Sequence, residues 1–335
     1  MILDIIVTHY NEPYEVVKPF FDMLELQRMI DFSDFRVILV NDGMDCSLPE
    51  LSERSPSFPF EFVEINIHHK GVSAARNAGM YYSDAEWIMF CDCDDSFANR
   101  HSLSEYITAL DNYDYQILWA PFYMEVGIEK HKRFLANTFD VIRLVGKVFR
   151  RDFLLENDFH FCEDLWVGED MAFMALVLKT ISRSNGRYKI GEIEVSSPLY
   201  TVVPYVDSVT HKYENRFHNA VGVFRKELYM LDELQRRGFG EESAPFAVRA
   251  MTDAYFTLCR TDLPDDRSEF DEEVWEFYKT HRCYIDTAGD DILRETLTAT
   301  RNEFIGTLAF DQFPMAYKDW LPLWVKHHEE LENEK

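Results

Sequence analysis

The stretch Phe90-Cys91-Asp92-Cys93-Asp94-Asp95, FCDCDD, decides how this chain is read. It closes an apolar run and sets two cysteines and three aspartates in five positions. In a strand, successive side chains face opposite sides. Cys91 and Cys93 then share one face, and Asp92 and Asp94 share the other. A C-x-C with no second cysteine pair nearby makes a poor zinc site. Cysteine is among the most buried residue types, so these two read as core. Two carboxylates that project together are costly unless a cation or several N–H donors compensate. Oxygen ligands select Mg²⁺ or Mn²⁺. The plainer alternative is that Asp94-Asp95-Ser96 caps a helix over residues 100–110.

Working outward, residues 3–10 (LDIIVTHY) and 35–43 (FRVILVNDG) are short β-branched runs. Residues 13–30 between them repeat apolar positions at helical spacing. Residues 60–67 read as a strand, 71–85 as a helix, 86–92 as a strand, and 115–126 (YQILWAPFYMEV) as one further strand. Alternating strand and helix predicts an α/β fold: a mostly parallel sheet with helices on both faces. Ligands of such sheets bind beyond the carboxyl ends of the strands. Thr8 to Glu12, Asn41 to Gly43 and Asp92 to Asp95 all fall there. From residue 213 the pattern turns helical, through 216–238, 243–263, 270–285, 290–310 and 317–335. The expected organisation is therefore a domain over 1–212 and an α-helical C-terminal subdomain over 213–335. Trp320 and Trp324, at i and i+4, are candidates for a partner or peripheral membrane contact.

The net charge of −26 repels nucleic acid and anionic lipid at long range. No apolar run is long enough to span a bilayer. The opening residues meet Asp4 too soon for a signal peptide. Scattered cysteines suit a reducing, cytoplasmic setting.

Five pieces in this order resemble the family 2 glycosyltransferases, whose fold is called GT-A. They are VTHYNEP (7–13), VNDG (40–43), GVSAARNAGM (71–80), the D-x-D of FCDCDD, and GKVFRRDFLLENDFHFCEDLWVGEDMAF (146–173). The resemblance covers residues 1–210 and leaves the helical tail outside. It implies an inverting transferase that moves a sugar from a nucleotide-diphosphate donor to an acceptor hydroxyl. The acceptor class is a glycan, a lipid-linked glycan or another hydroxyl compound.

By the same resemblance Thr8, Tyr10, Asn11 and Glu12 lie at the base, with Tyr10 able to stack on it. Asp42 accepts from the N3–H of uracil, which favours a UDP-sugar. A turn at Asn41-Asp42-Gly43 would also explain those residue types. Lys70, Arg76 and Asn77 fall on the donor side, and a surface salt bridge is the plain alternative for Arg76. Asp94 binds Mn²⁺ or Mg²⁺, and Asp92 contacts metal or ribose, with Cys93 between them. His211 is a candidate third ligand, and Ser208 a diphosphate contact. Asp170 is the general base, and Glu169 or Asp164 orients the acceptor. An Asp-Glu pair at a helix start would also serve the helix dipole alone. Lys147, Arg150 and Arg151 lie in the acceptor-side segment or in solvent. His9 and Met44-Asp45 depart from the family pattern.

Two rivals stand beside this reading. A haloacid-dehalogenase-type phosphatase would use Asp92 as nucleophile, with Asp290-Asp291 as its second motif. A GT-A-like binding protein would have lost activity, although both carboxylate pairs are retained.

Overall fold

The computed structural model describes residues 1–45, 47–112, 114–126, 133–137, 140, 142–195, 197–202, 216–259, 266–288, 293–294 and 315–334. The chain divides into two compact units, Met1–Ser208 and Val209–Lys335.

The first unit alternates as its apolar periods dictate. β1 (Leu3–His9) leads to α1 (Tyr14–Glu25), then β2 (Phe35–Asp42), the short α2 (Pro49–Arg54) and β3 (Glu61–Ile67). α3 (Val72–Tyr82) and β4 (Trp87–Asp92) follow. Next come β5 (Ser96–Phe97), α4 (Ser102–Asn112), β6 (Ile117–Trp119), β7 (Phe122–Val126) and β8 (Arg133–Asn137). β9 (Lys147–Arg150), α5 (Arg151–Glu156), α6 (Glu169–Arg183), β10 (Ile190–Glu192) and β11 (Tyr200–Val202) complete it.

Seven strands form one sheet in the order β10-β6-β9-β4-β1-β2-β3. β1 to β4 are parallel, and β9 runs antiparallel between β4 and β6. β1 and β2 are buried along their whole length. That is why they read as continuous apolar runs and not as alternating ones. α3 lies close on the sheet because Ser73, Ala74, Ala75 and Gly79 are small and buried. A Cβ at Gly79 would run into Ile6 Cγ2.

At the amino end of the sheet, Arg36 on β2 grips Asp4 on β1 through Nε at 2.9 Å and Nη2 at 2.8 Å. Asp4 also accepts from Ser83 Oγ at 2.7 Å and from the N–H groups of Asp84 and Ala85, both at 3.2 Å. The turn before β4 is thereby tied to the first two strands.

Residues 115–126 are not one strand. β6 belongs to the large sheet, and β7 belongs to a second sheet ordered β5-β11-β7-β8. Ala120-Pro121 makes the break, since proline has no N–H to give a ladder. Nor do Asp94-Asp95-Ser96 cap α4. Ser96 is already in β5; Asn99 Oδ1 accepts from the His101 N–H just before α4 at 2.8 Å, and Gln27 Oε1 accepts from the Leu103 N–H in its first turn at 3.0 Å. Ser102 Oγ accepts from the Asn99 N–H in return, at 3.2 Å.

The second unit is helical in its described parts: Arg216–Arg236, Ser243–Cys259, Ser268–Asp286 and Tyr317–Glu334. Its core is aromatic, with Phe224, Phe270, Trp275, Phe277 and Tyr278 buried. Trp324 is also buried, and its Nε1 donates to Asp271 Oδ1 at 2.7 Å. It is a core residue, not a surface anchor. No described helix is long and apolar enough to cross a membrane.

Candidate active site

The register of the parallel strands assembles the site. Thr8 lies opposite Asp92 on one side, and His9 lies opposite Asn41 on the other. Thr8 Oγ1 donates to Asp92 Oδ1 at 3.3 Å. His9 is buried, its Nδ1 2.8 Å from Asn41 Oδ1 and its Nε2 2.9 Å from the Glu12 carbonyl. Asn41 Nδ2 in turn donates to Glu64 and Asn66 on β3. The departure at His9 thus fastens the rim of three strands. Glu12 holds the turn after β1, accepting from the Tyr10 N–H at 2.9 Å, and Asn11 beside it is exposed.

β4 ends at Asp92, and the Asp95 N–H donates back to the Asp92 carbonyl at 3.2 Å. Strand alternation therefore stops at Asp92, and a turn sets Asp94. Cys91 and Cys93 are core residues, 3% and 2% exposed. Any contact between Cys93 and a donor is left to its main chain. Burial, with the Glu12, Asp94 and Asp92 carboxylates nearby, pushes the Cys93 thiol well up.

Arg76 is the hub. Its Nη2 donates to Asp92 Oδ1 at 3.0 Å and its Nη1 to Glu169 Oε1 at 2.8 Å. The guanidinium is buried and lies over the Phe161 ring at 5.4 Å. Burial opposes its charge, but Asp92, Glu169 and Asp170 outweigh burial and hold it protonated. The salt bridge weighed against a donor contact is real, and its partners are the site's own acids. One side chain joins the D-x-D to the Glu-Asp pair.

Glu169 and Asp170 open α6, after Gly168 turns the chain at φ 75°. Phe173, one turn on, stacks on Phe161 with centroids 4.1 Å apart and planes at 8°. That packing fixes where α6 begins. The Asp170 carboxyl is pushed up to about 6, first by burial and then by the Glu169 charge, against the pull of Arg76. Its Oδ1 accepts from the Met171 N–H at 2.7 Å.

Asn77 grips the main chain of Phe161 from both sides. Its Nδ2 donates to the carbonyl at 2.9 Å, and its Oδ1 accepts from the N–H at 2.8 Å. Asn77 is thus occupied with placing the 159–163 segment. Asp42 is nearly filled as well. It accepts from the N–H groups of Lys70 and Gly71, each at 2.8 Å, and from His69 Nδ1 at 2.9 Å. A carboxylate has about four acceptor positions, so roughly one remains. The Lys70 side chain is exposed, its Nζ 4.0 Å from Glu163 Oε2. Tyr10 is 40% exposed and stacks on His69 at 4.1 Å and 12°.

Three basic residues of the acceptor-side segment have partners within the fold, and Lys147 is not solvated. Lys147 is fully buried and donates to the carbonyls of Asp140, at 2.7 Å, and Arg143. Burial pulls its pKa down to about 8, opposed by the Asp140 and Asp170 charges. Arg150 pairs in register with Trp87, at the start of β4 and so away from the D-x-D. Arg151 beside it donates to the Ser83 carbonyl at 2.6 Å. Asp164 is exposed. Ser208, His211 and Asp290-Asp291 lie outside the described residues.

Among the described residues, no three or more His, Cys, Asp or Glu side chains gather as a metal cage. Asp92 is about half-exposed, and its Oδ2 has no hydrogen-bond partner among the described residues. Hard divalent ions are commonly held by one or two carboxylates, with water and substrate phosphate completing the shell. The half-exposed Asp92 carboxylate, with that free oxygen, is of the kind that fits such an ion.

Solved structures place the fold. S. aureus TarS 1-349 in complex with UDP matches at TM-score 0.51 and 16% identity, over 90% of this chain and 92% of that one. Its complex with UDP-GlcNAc matches at TM-score 0.52 over the same shares. The fold is GT-A. The family model for glycosyl transferase family 2 matches residues 4–176, and the chain belongs to that family. Membership of that family leaves the phosphatase reading of Asp92 without support. A minor teichoic acid biosynthesis protein, GgaB of Bacillus subtilis, is 23% identical over 86% of this chain and 34% of its own length. An uncharacterized glycosyltransferase of Haemophilus influenzae is 36% identical over 28% of this chain and 30% of its own. The chain thus spans about a third of the length of these curated relatives.

Proposed function

We propose that the protein transfers a sugar from a UDP-sugar to an acceptor hydroxyl with inversion at the anomeric carbon, and that Asp170 is its general base. One observation carries this. A carboxyl whose pKa is raised to about 6 sits at the start of α6, joined through Glu169 and Arg76 to the D-x-D. A base poised near working pH accepts a proton efficiently and is ionised enough to do so. Asp170 takes the hydroxyl proton as the acceptor oxygen attacks the anomeric carbon. The bond to the diphosphate breaks on the opposite side, and the nucleoside diphosphate leaves with that electron pair. Glu169, held by Arg76, keeps the helix start in place for that transfer.

Asp42 and Tyr10 bind the base, with Thr8, Asn11, Glu12, Lys70 and the main chain at Cys93 around the donor. The UDP and UDP-GlcNAc in the TarS complexes support a uridine donor. A divalent cation held by Asp94 and Asp92, with His211 as candidate third ligand, would supply Lewis-acid neutralisation of the leaving diphosphate. The acceptor is a glycan-type or lipid-linked hydroxyl, in keeping with the relative named for minor teichoic acid biosynthesis. The inactive-fold alternative has no observation in its favour, since Asp92, Glu169 and Asp170 share Arg76.

A thermal-shift panel of UDP, GDP, CDP, dTDP and phosphate, each with and without Mn²⁺, tests the reading. UDP should give a selective, Mn²⁺-dependent shift, and Asp94→Asn should lose the Mn²⁺ dependence. A preference for GDP would overturn the base assignment. An unchanged Mn²⁺ response in Asp94→Asn would overturn the metal assignment.

A further inference from the structure

His69 has no part in the scheme above, yet it touches both halves of the base subsite. Its ring lies on Tyr10 with centroids 4.1 Å apart and planes at 12°. Its Nδ1 lies 2.9 Å from Asp42 Oδ2 and 3.1 Å from the Asp42 carbonyl oxygen. Both partners only accept, so Nδ1 carries the proton and donates. Asp42 is 4% exposed at the end of β2, whereas the His69 side chain is 55% exposed. A half-exposed ring adds little to the core, so this geometry asks for another reason. The loop beside it is shaped to match. Gly71 stands at φ 96°, which lets the Lys70 and Gly71 N–H groups both point at Asp42.

We propose that His69 is the positioning residue of the base subsite, locking the Tyr10 ring and the Asp42 carboxylate into one reader for a uracil-type base. The inference rests on the reading that Tyr10 and Asp42 hold the base. An exposed tyrosine rotates about two side-chain bonds, and covering one ring face leaves the other for a base. Three donors take most of the Asp42 acceptor positions and leave roughly one. A base with a ring N–H flanked by carbonyls can fill it; cytosine, whose N3 is an acceptor, cannot. Stacking supplies affinity for any base, and Asp42 supplies the choice among them.

Two variants separate these duties. His69→Phe keeps an aromatic face under Tyr10 and removes the bond to Asp42. His69→Asn keeps a side-chain donor for Asp42 and removes the stack. Affinities for UDP and CDP, each with Mn²⁺, are measured by calorimetry on wild type and both variants. For His69→Phe, the UDP-over-CDP preference should fall about 10-fold while CDP affinity stays within about 3-fold. For His69→Asn, both affinities should fall together by about 5- to 10-fold with the preference retained. A merely structural role would move the melting temperature and leave the preference alone. Variants that match wild type in both affinities and preference would overturn the role of His69. A wild type that binds neither nucleotide, or that prefers CDP, would instead overturn the base assignment itself.

Discussion

The sheet carries a buried arginine at each end, and the two are differently balanced. At the amino end, Arg36 meets an Asp4 that is fully buried and saturated by five donors. Its other acids, Asp84 and Glu61, are more than half exposed, so water shares their charge. At the carboxyl end, one Arg76 faces Asp92, Glu169 and Asp170 together. One positive charge stands against three carboxyls, and Asp92 keeps an oxygen without a partner among the described residues. The first network is complete without a ligand. The second has negative charge to spare, and it holds Asp170 part-way to protonation. Residue types alike in the sequence become a clasp in one place and a chemical site in the other.

The comparison breaks first at Arg36. Arg36→Met should cost about 3–5 kcal/mol in denaturant unfolding, because it strands a buried carboxylate. Asp4→Leu with Arg36→Met should recover part of that loss, since the charge is removed with its partner, while Ser83 Oγ and the Asp84 and Ala85 N–H groups lose their acceptor. If the double variant is no better than the single, the pair is not closed.

At the other end, Asp170→Asn should lower transfer at least ~100-fold while UDP binding stays near wild type. The same change should raise stability. Asp170 titrates near 6 in the folded state against 3.8 for an ordinary aspartate. The folded protein therefore holds this proton more tightly than the unfolded chain, and stability declines as pH rises from about 4 through 6. Removing the charge at pH 7 should regain about 1–3 kcal/mol. Transfer by wild type should climb through that same upper region as the base ionises. A rate independent of pH between 5 and 7 would place the base elsewhere.

The smallest expected effect separates the two arginines most directly. Arg76→Met leaves Asp92 and Glu169 unneutralised in a place a cation can reach, and Mn²⁺ alone should stabilise this variant by about 1 kcal/mol more than wild type. Arg36→Met should show no such gain. Equal Mn²⁺ shifts in the two variants would remove the distinction drawn between the ends.

Much of this was legible in the residues. β1, β2, β3, α3 and β4 follow from β-branched runs and helical spacing, and the polar clusters at the strand ends mark the functional edge. What the sequence hides is closure across distance. No local pattern shows that Arg76 spans from Asp92 to Glu169, because that bond depends on where Phe161 and Phe173 stack. Lys147 looks like a surface lysine because its partners are main-chain carbonyls, which every residue carries. The division between β6 and β7 had a signal in Pro121, outweighed by the apolar residues on both sides. His68-His69 before Lys70-Gly71 is an unusual pair for a loop, but the partners of His69 stand far off in sequence, Tyr10 just beyond β1 and Asp42 at the end of β2.

The Asn77 clamp has an evolutionary reading. It grips Phe161 through main-chain atoms alone, and Gly168 reorients the chain just before α6. Residues 162–167 hang between these two posts and are pinned in turn by buried Leu165 and by Glu163 Oε1, which accepts from Asn77 Nδ2 at 3.3 Å. Its exposed position Asp164 is where a lineage can rewrite the acceptor side while inheriting the donor half intact. Replacing Asp164 should leave the UDP-induced thermal shift in place, even where the native acceptor is no longer used.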